Sequence, residues 1–356
     1  ENCPLINSAG DGYYRTNYYR GYAKCLTQKF STAGMMSDIG RLIYLDDIFG
    51  AADEESGSSP NKYNVYTDTV MPLAVHLVNE TSFDVWNIGL KRLLRMYTYL
   101  QGSATTDKAK DNTNQEDRTI SIVPIDSECS NKFKLFVKNL LSQVIKKRSY
   151  IKHININQPT YNTQQQQHQQ QKLKTLVLST ALDLGDQSVA NAFHKLFRSV
   201  FFEHAVLKVN ILERRLTYIA GVRYSTAGSS TEAFTIAQQE FSRAQSPAEK
   251  MRWLEAMSSS GSIKALITVL DMLSAKTIIH NLDEIIPTVL SYIARHPEGH
   301  DLVWSFLQSE WSRLAVAERV EAGALPTASG GSRATSTVWL RQSRHLQCAP
   351  HAMPAW

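Results

Sequence analysis

Apolar residues recur at intervals of three and four positions along most of this chain, and that spacing predicts amphipathic helices. The clearest stripe has six members, which are Phe133, Phe136, Val137, Leu140, Leu141 and Val144. Similar stripes follow Ser37, a candidate helix N-cap, and flank Gly185, a candidate helix stop. The pattern predicts a chain that is mainly α-helical.

Three helix-start signals of one kind mark the second half of the chain. In each, a Ser or Asn is followed three positions later by a Glu, as in a capping box. The pairs are Ser229 with Glu232, Ser246 with Glu249, and Asn281 with Glu284. The last apolar stripe, expected to face the core, comprises Trp304, Leu307, Trp311 and Leu314. These features predict an antiparallel helical array, a HEAT-like α-solenoid without a strict sequence repeat.

The start of the chain has a different pattern. Residues 12–19 (GYYRTNYY) include the end of a Gly-Asp-Gly turn signal and are rich in strand-favouring aromatics. They predict a short β segment of one or two strands, after which the helical period begins near Ser31.

Three segments interrupt the helical pattern. Residues 102–118 are polar and charged and predict a loop. Residues 153–171 are glutamine-rich and low in complexity, and we expect them to be unstructured. Beyond Leu314 the chain turns to Ala, Gly, Ser, Arg and Pro, which predicts a disordered tail.

Composition and charge narrow the classes of function. The 356 residues are 43% hydrophobic, as in a globular chain, and no run approaches the ~18 apolar residues that a membrane span needs. A formal net charge of +5 over 40.0 kDa is too dilute for a dedicated nucleic-acid surface. The cysteines are too few and too scattered to predict a disulfide scaffold or a closed zinc site; they are Cys3, Cys25, Cys129 and Cys348.

The sequence lacks the common signatures of catalysis. It contains no phosphate-binding glycine loop, no G-x-S-x-G elbow and no H-E-x-x-H zinc motif. We therefore assign no catalytic residue, metal ligand or cofactor to this chain. Asn79, Glu80 and Thr81 form an N-glycosylation sequon, which matters if the chain enters the secretory pathway.

Several short segments match the motifs of one enzyme family, in the order that the family has them. Residues 12–18 (GYYRTNY) match a G-Y-Y-R-V-N-Y strand, and residues 40–49 (GRLIYLDDIF) match an R-A-Q-L-I-D-D-A-F helix. Residues 79–86 (NETSFDVW) match an E-x-D-Y-x-P-W junction, with Val85 in place of Pro. Residues 184–186 (LGD), 221–224 (GVRY), 255–257 (EAM) and 303–311 extend the match. Together the segments resemble the C-terminal helical domain of zinc aminopeptidases of the aminopeptidase N type.

This resemblance implies a hydrolase that removes N-terminal residues from peptides. Its zinc ion would be held by two histidines and a glutamate of a catalytic domain that precedes these residues. The family's helical domain closes over the catalytic domain and limits peptide access. By this resemblance, residues 1–30 are the end of a β-sandwich, residues 31–314 are the helical domain, and residues 315–356 are a non-homologous tail. We expect such a fragment to be inactive alone and to bind peptide jointly with the catalytic domain.

The resemblance also suggests Arg223 and Tyr224 as substrate-contact candidates. An arginine in the GVRY element can pair with the C-terminal carboxylate of a peptide. The alternative is that both residues make packing hydrogen bonds between helices, as most polar residues there do.

A second hypothesis remains for the location of the protein and another for its function. The resemblance implies the plasma membrane or the extracellular space, but residues 186–193 lack the cysteines of the family's secreted members, so a cytoplasmic location is the alternative. The second functional hypothesis is a non-catalytic helical-array module that binds a peptide or protein partner. The two hypotheses differ in whether a catalytic domain is encoded upstream.

Overall fold

The protein is mainly helical, as the apolar spacing predicts. The computed structural model describes residues 3–32, 34–55, 66–101, 127–152, 154, 164–203, 209, 211–225, 229–274, 282–295 and 299–322. These residues include thirteen α-helices packed antiparallel. The helices are α1 Arg20–Ser31, α2 Asp38–Glu55, α3 Met71–His76, α4 Phe83–Gln101, α5 Ser127–Lys147, α6 Gln164–Asp183, α7 Gln187–Phe201, α8 Ile211–Arg223, α9 Ser229–Arg243, α10 Pro247–Ser258, α11 Ile263–Ser274, α12 Leu282–Ile293 and α13 Gly299–Ala322.

Two short turns complete the list of elements, a π-helical turn at Tyr66–Val70 before α3 and a 3-10 turn at Leu77–Asn79 after it. The chain divides into two compact units. Unit 1 contains α1 to α5 and the first part of α6, and unit 2 contains the rest of α6 and α7 to α13. Within the described ranges, every helix is too short or too polar to cross a lipid bilayer.

Unit 1 buries the stripes that the sequence predicts. All six apolar residues of the α5 stripe are 3% exposed or less. Ser37 is the N-cap of α2, since its Oγ accepts a hydrogen bond from the Gly40 N–H at 3.0 Å. Trp86 is wholly buried in the first turn of α4, and its Nε1 donates to the Glu80 carbonyl at 3.1 Å. Local sequence therefore fixes these helices and the faces that they bury.

In unit 2, the predicted stop at Gly185 is confirmed. Gly185 has a φ of +78° and ends α6 in the left-handed conformation that glycine adopts most easily. Its N–H donates to the Leu182 carbonyl at 3.0 Å, and the Asp186 N–H donates to the Ala181 carbonyl at 2.8 Å. The Asp186 carboxylate then caps α7 by accepting from the Val189 N–H at 3.1 Å. The three-residue LGD segment thus both ends one helix and starts the next.

The core of unit 2 is aromatic where α7, α8 and α10 meet. The rings of Tyr218 and Trp253 are stacked, with centroids 3.7 Å apart and an angle of 6° between their planes. Phe201 meets both rings edge-on, at 5.9 and 5.4 Å. Aromatic packing therefore joins α10 to the consecutive helices α7 and α8.

The predicted strands at the start of the chain are wrong. Residues 14–19 are irregular and lead directly into α1, whose N-cap Tyr19 is extended at φ −64° and ψ 154°. A strand needs a neighbour that completes its ladder of hydrogen bonds, and the part of the chain that the structure describes contains no strand. The aromatic composition alone predicted extended backbone but could not supply a partner.

Two segments that were expected to lack structure are partly helical. α6 begins at Gln164, inside the glutamine-rich segment, and α13 continues past Leu314 to Ala322. Glutamine is a good helix former, and extending a helix is easier than nucleating one, so the stripe starting at Leu173 extends towards the N-terminus. Arg148 Nη1 also donates to Gln170 Oε1 at 3.0 Å. The predicted loop at 102–118 and residues 323–356 lie outside the described residues.

The prediction that Trp304 faces the core is also wrong. Its side chain is 63% exposed, whereas Phe306 on the same helix is 6% exposed. A helical stripe identifies one face, but the neighbouring helices decide which residues near the edge of that face are covered. The side chains of Trp311 and Leu314 lie outside the described residues.

Candidate functional site

The GVRY element lies at the C-terminal end of α8 in unit 2. Gly221 faces α7, and a Cβ atom added to it would overlap the ring of Phe197. Val222 is 2% exposed. A glycine therefore permits the close approach of α8 to α7, and this approach positions the next two residues, Arg223 and Tyr224.

Arg223 and Tyr224, the two sequence-predicted contact residues, lie together against the end of α6. Arg223 Nη1 is 3.8 Å from Asp183 Oδ1, and the Arg223 side chain is 22% exposed. The Tyr224 hydroxyl donates to the Leu182 carbonyl at 3.0 Å. Burial raises the pKa of the Tyr224 hydroxyl.

A second arginine shares the Asp183 carboxylate. Arg295, just beyond α12, places Nη1 3.1 Å from Asp183 Oδ2, and its side chain is 47% exposed. Two guanidinium groups therefore face one carboxylate, which leaves a local excess of positive charge. Both arginines remain partly open to solvent, so the cluster of Asp183, Arg223 and Arg295 has the charge and the access that binding an anion requires.

A third arginine, Arg215 of α8, is linked to this cluster through Tyr292. Arg295 lies over the ring of Tyr292, with its guanidinium carbon 4.5 Å from the centroid. The Tyr292 hydroxyl also contacts Arg215 Nη2. Arg215 in turn donates from Nε to Glu255 Oε2 at 2.5 Å. Because Glu255 neutralises Arg215, the excess positive charge stays at Arg223 and Arg295.

Sequence reasoning found only the GVRY part of this arrangement. Asp183 and Arg295 are 112 positions apart, and Arg215 is 40 positions from Glu255 and 77 from Tyr292. Such separations leave no local spacing signal, so these partners could be recognised only after folding. The arrangement is compatible with both alternatives for Arg223 and Tyr224, contact with a peptide substrate and packing between helices.

The third predicted site residue, Asn79, lies in unit 1 and does not join this cluster. It is the last residue of the 3-10 turn and is exposed. Its Oδ1 accepts a hydrogen bond from Lys147 Nζ at 2.8 Å. Lys147 comes from the C-terminal end of α5, where cations are favoured by the helix dipole.

Glu80, next to Asn79, organises the junction before α4. Its side chain is 3% exposed and forms a two-point ion pair with Arg41 of α2, at 2.6 Å to Nε and 3.2 Å to Nη2. Its Oε1 also accepts from the N–H groups of Thr81 and Ser82, at 2.6 and 2.8 Å. The hydrogen bond to Glu80 raises the pKa of Arg41. Glu80 thus connects α2 to the segment that leads into α4, and we call such a connecting contact a joint.

Cys3 and Cys25 form a disulfide that the sequence did not predict. The bond ties the start of the chain to α1, and two hydrogen bonds support it: Lys29 Nζ donates to the Cys3 carbonyl at 2.9 Å and the Tyr22 hydroxyl donates to the Pro4 carbonyl at 2.6 Å. Disulfides of this kind persist in oxidising compartments.

The residues that the structure describes do not fit a zinc ion, which the aminopeptidase resemblance assigns to a preceding catalytic domain. The sequence has no H-E-x-x-H motif. In the described ranges, no three His, Cys, Asp or Glu side chains are grouped so that they could hold a metal ion. We therefore derive no zinc chemistry from these residues.

The chain is thus a helical domain in which the GVRY, LGD and Glu80 segments connect neighbouring helices. The family model for the ERAP1-like C-terminal domain matches residues 5–332, so the chain belongs to that family. The match begins before the tyrosine-rich segment and ends within the residues predicted as a tail.

Curated relatives agree with this family. The chain is 30% identical to glutamyl aminopeptidase of Mus musculus over 179 residues, covering 48% of this chain and 18% of the relative. It is 30% identical to the Sus scrofa glutamyl aminopeptidase over 148 residues, covering 41% and 15%. It is 28% identical to endoplasmic reticulum aminopeptidase 2 of Bos taurus over 119 residues, covering 33% and 12%. The matches thus span less than a fifth of each relative.

Proposed function

We propose that this chain is the C-terminal domain of a zinc metalloaminopeptidase that removes N-terminal residues from peptides. In this role it closes over a catalytic domain and controls the access of peptides to the zinc site. The observation that carries the proposal is the family match over residues 5–332. Stacked antiparallel helices suit the task because they form rigid walls around a binding space.

The domain is inactive by itself in this proposal, because the zinc ligands and the general base belong to the catalytic domain. Sequencing the transcript on both sides of these residues tests the idea without folded protein. An upstream frame that encodes H-E-x-x-H and a second zinc glutamate supports it. A reading frame without them leaves a non-catalytic helical module that binds a peptide or protein partner.

We further propose that Arg223 and Tyr224 contribute to peptide binding. The excess positive charge of Arg223 and Arg295 over Asp183 suits the C-terminal carboxylate of a peptide, and the partial exposure of both arginines leaves room for it. The Tyr224 hydroxyl is engaged with Leu182, so its part is to hold the GVRY element in place. A packing role for Arg223 predicts lower stability without any change in peptide affinity.

The test of Arg223 compares two peptides in the complete enzyme, one with a free C-terminal carboxylate and one with a C-terminal amide. We expect Arg223→Ala to raise KM about 10- to 150-fold for the acid peptide and to leave KM for the amide unchanged, since a charge-assisted hydrogen bond contributes about 1.5 to 3 kcal/mol. Arg243→Ala is the matched control, because Arg243 is an exposed arginine of the same unit, paired with Glu240. Equal KM values for the acid peptide in wild type and Arg223→Ala would remove the binding role.

The Cys3–Cys25 disulfide supports an extracytoplasmic location, because thiols are kept reduced in the cytosol. We propose that the protein works in an oxidising compartment, either at the cell surface or within the secretory pathway. Alkylation of the protein from cells before and after reduction tests this. Protection of Cys3 and Cys25 before reduction is expected, and free thiols at both positions would support the cytoplasmic alternative.

A further inference from the structure

Asn79-Glu80-Thr81 is the only Asn-x-Ser/Thr sequence in the 356 residues. We infer that Asn79 carries an N-linked glycan on its Nδ2 atom. The inference stands on the geometry of the 79–82 segment and on the disulfide, and it is independent of any peptidase activity.

The segment presents the sequon outwards. Asn79 and Thr81 are both exposed, whereas Glu80 between them is buried. Glu80 turns inwards because its carboxylate pairs with Arg41. An extended backbone at Glu80, with φ −69° and ψ 138°, places its two neighbours on the opposite side. Both side chains of the sequon that matter for glycosylation therefore face solvent.

The orientation of the Asn79 amide is compatible with a glycan attached to it. Lys147 Nζ donates to Asn79 Oδ1 at 2.8 Å. Glycosylation acts on the other atom of the amide, Nδ2, and leaves the oxygen lone pairs in place. The contact with Lys147 thus survives the modification, and folding around Glu80 does not have to bury the attached sugar.

The reaction balances with a co-reactant that the secretory pathway supplies, an oligosaccharide linked to a lipid diphosphate. A bond forms between Asn79 Nδ2 and C1 of the first sugar. The bond between C1 and the diphosphate oxygen breaks, the lipid diphosphate leaves with its electron pair, and one Nδ2 proton is released. No oxidant or reductant takes part.

The disulfide is the second, independent observation. Cys3 and Cys25 pair within the same unit as Asn79, and disulfides form in the compartment in which N-glycans are attached. In a eukaryotic cell, a chain that acquires this bond in the secretory pathway therefore passes the glycosylation machinery.

The experiment uses the protein expressed from its complete reading frame in eukaryotic cells and measures, for the proteolytic peptide that contains residue 79, the mass lost on digestion with an Asn-glycan amidase. We expect that peptide to carry one digestible glycan in wild type. Asn79→Gln and Thr81→Ala should each abolish it, and Thr81→Ser should retain it, because the sequon requires a hydroxyl at that position. Asn87→Gln is the matched control, since Asn87 is a nearby asparagine outside any sequon.

Two outcomes would overturn the inference: a wild-type peptide containing residue 79 without amidase-sensitive mass, or a glycan that persists on that peptide in Thr81→Ala. Whole-cell extracts are measured as well as secreted protein, so that a variant that folds poorly and is retained is still scored. Aminopeptidase activity is assayed separately, which distinguishes failure of this inference from failure of the proposed function.

Discussion

The two units hold their helices together by different chemistry. In unit 1 the joint between α2 and α4 is a nearly buried ion pair, with Glu80 3% exposed and Arg41 16% exposed. In unit 2 the joint between α7 and α8 is a glycine against a ring, Gly221 against Phe197. A buried ion pair specifies geometry but leaves an unpaired charge if one partner is lost, whereas an apolar joint is sensitive only to volume.

The units also differ in where charge is left unbalanced. Unit 1 contains a buried carboxylate, Asp47, which is 4% exposed and whose Oδ2 finds no hydrogen-bond partner among the described residues. Unit 2 instead has its excess charge at Arg223 and Arg295, which solvent can reach. The unbalanced charge is therefore buried in unit 1 and open to solvent in unit 2, and the following variants compare the two units.

The largest effect is expected at the buried ion pair. Arg41→Met should lower the free energy of unfolding by about 3 to 5 kcal/mol, because it leaves the Glu80 carboxylate buried without its partner. Chemical denaturation of both proteins measures the difference. The matched control is Asp38→Ala, which removes the other carboxylate paired with Arg41; Asp38 is 70% exposed, and we expect a loss below about 1 kcal/mol. Equal losses in the two variants would show that burial does not set the strength of this joint.

The next effect is a pH dependence at Asp47. Burial away from water raises the pKa of this carboxyl to about 6, although the Thr16 backbone and the nearby Arg15 act in the opposite direction. Because the folded-state pKa is above the unfolded value, the stabilisation is complete below about pH 4 and is lost as the pH rises through about 6.

We therefore expect the stability of wild type relative to Asp47→Asn to fall by about 2 to 3 kcal/mol between pH 4 and pH 7. Urea denaturation of both proteins across that range measures it. If the free energy of unfolding changed with pH in the same way for wild type and Asp47→Asn, the buried Asp47 charge would not destabilise unit 1.

The smallest of the three effects is expected at the apolar joint of unit 2. Gly221→Ala should cost about 1 to 3 kcal/mol, since the new methyl group overlaps the Phe197 ring and the helices must move apart. Gly261→Ala is the matched control, because a Cβ at Gly261 meets no atom within 4 Å. Thermal unfolding compares the two variants, and combining Gly221→Ala with Phe197→Leu should recover part of the loss. A change at Gly261 as large as that at Gly221 would argue against a steric joint.

The structure shows what three of the family motifs do in the fold. LGD ends α6 and caps α7, GVRY brings α8 onto α7, and Glu80 fastens α4 to α2. The matching segments were readable from the sequence because each is short and contiguous. The roles of GVRY and Glu80 were not readable, because each depends on a residue that is distant in the chain, Phe197 or Arg41. The role of LGD depends on contacts within five positions, and its stop at Gly185 was predicted.

The sequence by itself determined most helices, the stop at Gly185, the N-cap at Ser37 and the family, because helical spacing and capping act over a few residues. Tertiary structure decided that the tyrosine-rich segment is irregular at residues 14–19, that α6 starts among the glutamines and that Trp304 is exposed. It also decided that Arg41 meets Glu80, that Cys3 meets Cys25 and that Arg295 meets Asp183. Local patterns follow from the geometry of one helix, whereas these pairings exist only once separate helices have packed and removed water from between them.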